Sequence, residues 1–229
     1  MAPIRAVERE FELPPEQATP VVFVVDDDVS LRESLEAMVR FAGLKAETFA
    51  CAQDFLGHPA AKVPNCLVLD VGLPDLSGLD LQNRIASERT DMPIIFITGY
   101  NDVSTTVRAM KAGAVEFLTK PFDDQVLLDA IRHAIELSRA AMREAAELQA
   151  IQDRYLSLSR REREVMTLVV TGLLNKQIAG ELGIAEITVK VHRAQVMRKM
   201  NVRSLAELVK IATRLNPDRA PRAALQRAA

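Results

Sequence analysis

Residues 21–28 read VVFVVDDD, and the first half of the chain is organised around that stretch. Five consecutive apolar residues, four of them Val, leave no position at which a strand could face water. Such a run fits a parallel strand buried on both faces. It ends abruptly in three carboxylates, Asp26, Asp27 and Asp28. Before it, residues 1–19 contain Pro14 and Pro15 and read as a loose arm. After it, helices and strands alternate. Ser30–Ala42 places Leu31, Leu35, Met38 and Val39 at helical spacing and stops at Gly43. Lys45–Phe49 reads as a strand and Ala52–His58 as a helix. Cys66–Leu69 is a second buried-strand run, ending in Asp70, and Gly78–Ser87 is helical. Pro93–Ile97 ends in Thr98, and Val103–Ala112 is helical up to Gly113. Val115–Leu118 leads to Lys120-Pro121, and Asp123–Ser138 is helical.

Five strand–helix pairs with apolar strands predict an α/β doubly wound, five-stranded parallel sheet over residues 20–138. Functional residues in such a sheet lie just past the carboxyl ends of the strands. The residues in those places are Asp26, Asp27, Asp70, Thr98 and Lys120. Residues 139–154 are rich in Ala, Glu and Arg without Gly or Pro, and read as a helical linker. Residues 155–215 form an all-α, four-helix segment: Ser159–Thr171, Asn175–Leu182, Ile187–Met200 and Leu205–Leu215. Residues 216–229 read as a disordered tail.

The net charge of −2 conceals an asymmetry. Residues 20–138 hold 10 Lys and Arg against 18 Asp and Glu, a net −8. Residues 155–215 hold 11 against 5, a net +6. Opposite halves imply different partners, and the basic one is a candidate for nucleic acid. Two Cys without metal-ligand spacing exclude a disulfide scaffold and a structural zinc site. No apolar run approaches the roughly 18 residues of a membrane span, and the first residues lack a signal-peptide core. A reducing cytoplasm is the expected compartment.

Carboxylates gathered at one sheet edge repel one another unless a cation lies between them. Mg²⁺, a hard ion taking oxygen ligands, fits, as does Mn²⁺. A carboxylate beside such an ion is a candidate nucleophile toward a phosphoryl donor. A nearby Lys offsets charge, and a Thr hydroxyl donates to the new phosphoryl group. In the basic half, Asn175–Leu182, then Gly183, then Ile187–Met200 has helix-turn-helix spacing. The second helix carries Thr188, Lys190, His192, Arg193, Arg198 and Lys199, suited to the major groove.

The segments VVFVVDDDVSLRESL, LVLDVGLPDLSGLDL and PIIFITGYNDVSTTVRAMKAGAVEFLTKPF together resemble the CheY-like receiver domain of two-component response regulators, across residues 20–138. The resemblance implies that Asp70 is the phosphoacceptor and that Asp27, Asp70 and the Gly72 carbonyl hold the metal, with Asp26 as an acidic residue behind these ligands or as a ligand through a water. It implies that Thr98 and Lys120 sense the phosphoryl group, that Phe117 is the switch aromatic, and that the Lys120-Pro121 bond is cis. Gly72 and Tyr100 occupy positions that tune dephosphorylation in the family. Asp28 falls outside the acidic pair and is left to cap a helix or to meet solvent.

The stretch LSRREREVMTLVVTGLLNKQIAGELGIAEITVKVHRAQVMRKMNVRSLAELVKIA resembles the LuxR-type helix-turn-helix over residues 158–212. By that resemblance Lys190 and Val191 face base edges, while Asn175, Lys176, Thr188 and Arg193 contact phosphates. The combination is similar to FixJ/NarL-type response regulators, nearer the FixJ branch. It implies a sensor histidine kinase, double-stranded promoter DNA and RNA polymerase as partners, and a homodimer when phosphorylated. Val107, Arg108 and Lys111 are the expected dimer contacts. Phosphorylation is expected to draw Thr98 and Lys120 toward Asp70. Two other readings stand beside this one. A metal-dependent phosphotransferase or hydrolase would use Asp70 as nucleophile, but the position two residues on, where a dehalogenase-like enzyme needs an acid, is Gly72. A phosphate sink or protein-interaction module would leave the +6 segment and its turn at Gly183 without a task.

Overall fold

The computed structural model describes residues 18–89, 92–99 and 102–215, without the side chains of Ser87 and Glu88. The expected arm through residue 17, the expected tail and Tyr100 lie outside the described residues. The chain divides after Arg143 into two compact units.

In the first unit the strands are β1 (Val21–Val25), β2 (Lys45–Phe49), β3 (Asn65–Asp70), β4 (Ile94–Thr98) and β5 (Glu116–Thr119). They form one parallel sheet in the order β2-β1-β3-β4-β5. The helices are α1 (Val29–Phe41), α2 (Ala52–Gly57), α3 (Gly78–Glu88), α4 (Val103–Lys111) and α5 (Asp124–Leu156). The unbroken Val run of β1 is explained by its two faces. Val21, Phe23 and Val25 pack with Ala52 and Phe55 of α2, Leu79 and Ile85 of α3, and Ala109 of α4. Val22 and Val24 pack on the opposite face with Leu35 and Val39 of α1 and Leu127 and Ile131 of α5. Alternate residues of one strand therefore serve two cores, and a polar residue at any of the five positions would be buried. Cys66 lies in the second core, where burial pushes its thiol up to about 12, so it packs as a small hydrophobe.

Element ends differ from expectation by a residue or two. Helix α1 starts at Val29 because Asp28 caps it, accepting from the backbone N–H of Ser30 and Leu31. This is the capping role left open for Asp28. Strand β5 begins one residue late, at Glu116, since this edge strand is only half-buried and its apolar pattern is weaker. Helix α5 runs without a break for 33 residues and includes residues 139–154.

The second unit holds α6 (Arg160–Val170), α7 (Asn175–Leu182), α8 (Glu186–Lys199) and α9 (Leu205–Leu215). Val165, Met166 and Val169 of α6, Ile178 of α7, Val189 and Val196 of α8 and Leu208 of α9 form its core. Ser159 and Glu162 make a reciprocal capping box at the start of α6. Glu162 also accepts from Lys199 at 2.6 Å, which ties that end of α6 to the last turn of α8. Lys199 and the Ser159 N–H hold the Glu162 carboxyl below its usual range. Between α7 and α8 the chain turns at Gly183, whose φ of 63° is left-handed and disfavours a side chain.

Candidate functional site

Parallel register places the ends of β1, β3, β4 and β5 side by side, and the chain leaves each strand with a polar residue. Asp26 follows β1 and is fully buried. Its Oδ1 accepts from the Asp28 N–H at 2.9 Å and its Oδ2 from Lys120 Nζ at 2.6 Å. Asp70 ends β3, with Oδ1 3.1 Å from the same Lys120 Nζ and Oδ2 accepting from the Gly72 N–H at 3.1 Å. Lys120 itself is anchored through its backbone N–H, which donates to the Thr98 carbonyl at 2.7 Å. Thr98 is buried at the end of β4. The Lys120-Pro121 peptide is cis.

The carboxylates of Asp26, Asp27 and Asp70 each present an oxygen within 4.8 Å of the others. Asp27 is exposed, while Asp26 and Asp70 are buried. Three carboxylates so close, offset by one ammonium, form a hard all-oxygen set with negative charge to spare, which fits a divalent cation of the Mg²⁺ or Mn²⁺ kind. Burial raises the Asp70 carboxyl above its ordinary range, and the Lys120 hydrogen bond and charge only partly oppose that. Burial acts to lower the Lys120 ammonium, yet the hydrogen bonds it donates to Asp26 and Asp70 outweigh that and hold Lys120 above its ordinary value. Lys120 bridges Asp26 and Asp70, which keeps its ammonium within hydrogen-bond reach of the expected phosphoacceptor.

Three residues that support this pocket escaped the sequence reading. Arg32, one turn into α1, donates from Nη1 to the Asp26 carbonyl at 2.6 Å and holds the loop that carries the acidic pair. Asp75, in the loop after β3, accepts from the N–H groups of Ala52 and Gln53 and so caps α2 from a distance. Gly78 permits a close approach: a Cβ there would lie 2.5 Å from the Asp70 carbonyl and 3.2 Å from the Phe96 ring. The spacing SGLDL marked Gly78 only as a helix start. Phe117 is half-buried on β5, its ring 6.1 Å from that of Phe96. Val107, Arg108 and Lys111 are exposed on α4.

In the second unit, α7, Gly183 and α8 form the helix-turn-helix. Arg193 donates to Asn175 Oδ1 at 3.1 Å, so two expected phosphate contacts orient each other. Lys190 pairs with Glu186 one turn earlier at 3.3 Å. Lys176 and Val191 are exposed, whereas Thr188 is half-buried.

A carboxylate pocket at the carboxyl edge of a doubly wound sheet, in one chain with a basic helix-turn-helix, defines a phosphoacceptor-controlled DNA reader as a class. Comparison with known proteins narrows it. Residues 22–132 match the response regulator receiver domain, and residues 156–212 match bacterial regulatory proteins of the luxR family. The chain is 52% identical over 198 residues to Nodulation protein W of Bradyrhizobium diazoefficiens, covering 85% of this chain and 86% of that one. It is 42% identical over 193 residues to Transcriptional regulatory protein FixJ of the same organism, covering 84% and 94%. A low-resolution structure of response regulator StyR superposes with a TM-score of 0.75 at 52% identity, covering 85% of this chain and 98% of that one. The chain belongs to the FixJ-like two-component response regulators, which join a receiver domain to a LuxR-type DNA-binding domain and regulate transcription.

Proposed function

We propose that a sensor histidine kinase phosphorylates Asp70 and that this controls promoter binding by residues 155–215. The observation that carries the reading is the convergence of Asp26, Asp27 and Asp70 within 4.8 Å, with the Lys120 ammonium 3.1 Å from Asp70. In the transfer, the N–P bond of a phosphohistidine breaks as an Asp70 oxygen bonds to phosphorus, and the departing imidazole nitrogen keeps the electron pair. Asp27, Asp70 and the Gly72 carbonyl would hold Mg²⁺ or Mn²⁺, with Asp26 behind them. The ion's contribution is to offset charge on the transferring oxygens. Lys120 supplies a further positive charge 3.1 Å from Asp70, and the Thr98 hydroxyl donates to a phosphoryl oxygen.

A phosphoryl group brings about −1.5 to −2 charges into the pocket. Thr98 moves to meet it, and Phe117 turns into the space Thr98 leaves. The face of α4 and β5 is thereby rebiased, and Val107, Arg108 and Lys111 pair two copies of the chain. Pairing sets two α8 helices on a two-fold DNA site, where the dimer acts on RNA polymerase. In the complex, Lys190 and Val191 meet base edges, and Asn175, Lys176, Thr188 and Arg193 meet phosphates. The cytoplasm is the compartment such a regulator requires. Among the described residues no helix is long and apolar enough to cross a membrane.

The test is Asp70→Asn incubated with acetyl phosphate and Mg²⁺ and followed by intact mass. Wild type is expected to gain one phosphoryl group and to shift toward dimer in size-exclusion chromatography, and the variant to do neither. Labelling of the variant to the wild-type extent would overturn the assignment of Asp70.

A further inference from the structure

Helix α8 carries an apolar stripe on the side turned away from its core. Val189, Val196 and Met200 are buried among α6, α7 and α9. Ile187, Val191 and Ala194 follow a spacing of i, i+4 and i+7, which places them together on another face. Ile187 is 66% exposed and Val191 53% exposed, and Ala194 is exposed as well. An aligned apolar stripe on a solvent face is explained by a partner that presents apolar groups of its own. The surroundings fix that partner's charge. Lys190 and Arg198 are exposed on the same helix and Lys176 on α7, in a segment with a net charge of +6.

The partner must therefore be a polyanion with apolar groups recessed between its charges. Duplex DNA satisfies both conditions in its major groove, where thymine alone among the four bases presents a methyl group. We propose that Ile187, Val191 and Ala194 read thymine methyl groups, and that Ile187 sets part of the operator preference of this chain. The proposal rests on the DNA-reading function and adds its sequence specificity. Ile187 lies in the first turn of α8, the end of a recognition helix that reaches deepest toward base edges. From Ile187 to Ala194 the helix rises about 10 Å, the length of roughly three base-pair steps. Each operator half-site then holds two or more thymines, on either strand, within about four consecutive base pairs. Lys190 lies between Ile187 and Val191 in sequence and meets base edges from beside the apolar stripe.

The probe is a random duplex library selected with the full chain after treatment with acetyl phosphate and Mg²⁺. Each dT of the enriched site is then replaced by dU, which removes only the methyl. Binding is expected to weaken about fourfold at each methyl that is read, the worth of one buried methyl or methylene group. Ile187→Ala should bind the dT and dU duplexes equally at one position, and Val191→Ala should do so at a neighbouring one. Both side chains are exposed, so circular dichroism should show an unchanged fold in each variant. Enrichment of a defined site with less than about twofold dT/dU discrimination at every position would overturn the stripe while leaving DNA reading intact. Full discrimination retained by Ile187→Ala would overturn the role of Ile187. Failure to enrich any site would count against the DNA-reading function itself.

Discussion

The two halves of the chain hold their decisive charges in opposite ways. In the receiver the clustered charges lie mostly inside: Asp26 is fully buried, Asp70 is 6% exposed, half-buried Lys120 spans them, and Asp27 alone of the three carboxylates is exposed. They come from segments 94 residues apart in sequence. In the DNA-reading half the cations Lys176, Lys190 and Arg198 lie on the surfaces of two adjacent helices. A buried pocket assembled from strand ends depends on backbone position, because low-dielectric charge pairs tolerate little displacement. A surface reader loses affinity contact by contact. The receiver is thus the half in which small steric changes have large effects.

The largest expected effect tests that contrast directly. Gly78→Ala places a methyl 2.5 Å from the Asp70 carbonyl, where backbone must yield. It should destabilise the receiver by about 2–3 kcal/mol in urea denaturation and slow labelling by acetyl phosphate. A neutral result would mean that the loop after β3 is softer than its packing implies.

A smaller effect concerns the buried charge itself. The folded-state Asp70 carboxyl titrates above its unfolded value because burial favours the neutral form. Ionising it therefore costs stability. That cost is absent below the unfolded pKa, grows as pH rises, and is complete above the folded pKa. Without added metal, Asp70→Asn should remove this pH dependence and raise Tm at neutral pH by a few degrees. Mg²⁺ should raise the Tm of wild type more than that of the variant. A lower Tm for the variant at neutral pH, with no metal added, would show that the Lys120 pairing outweighs burial.

The smallest effect has the opposite sign and lies in the other half. Gly180, inside α7, has open space around its Cβ position and no left-handed φ. Gly180→Ala should stabilise the DNA-reading half by roughly 0.5–1 kcal/mol, through helix propensity. Thermal unfolding reads this change. Stabilisation at Gly180 with destabilisation at Gly78 would confirm that the two halves differ in tolerance. Loss at both sites would erase the distinction.

Much of this organisation is legible in the residues, for identifiable reasons. The central strands are plain because both faces are buried, so their apolar runs are continuous. Residues at their carboxyl ends are plain because parallel topology puts function there. Helix ends followed from Gly43 and Gly183, which satisfy local backbone needs, whereas the cap at Asp28 was left open. The half-exposed edge strand β5 was misread by one residue, since Phe117 and Leu118 are only partly buried, one against each core. Arg32, Asp75 and Gly78 were missed because each acts on a backbone group that sequence spacing does not bring near. The apolar spacing of Ile187, Val191 and Ala194 is present in the sequence, but Val189 and Val196 share the helix, and packing alone shows which set is buried.

By itself the sequence determined the two halves, their opposite charge, the parallel sheet and the set of residues at its carboxyl edge. These follow from periodicity, composition and the short-range preferences of turns and caps. Only the tertiary structure decided which carboxylates share Lys120 and which face of α8 is left open. Those features depend on distances of about 3 Å between side chains far apart in the chain. Such distances are set by the packing of several elements together, and no local pattern encodes them.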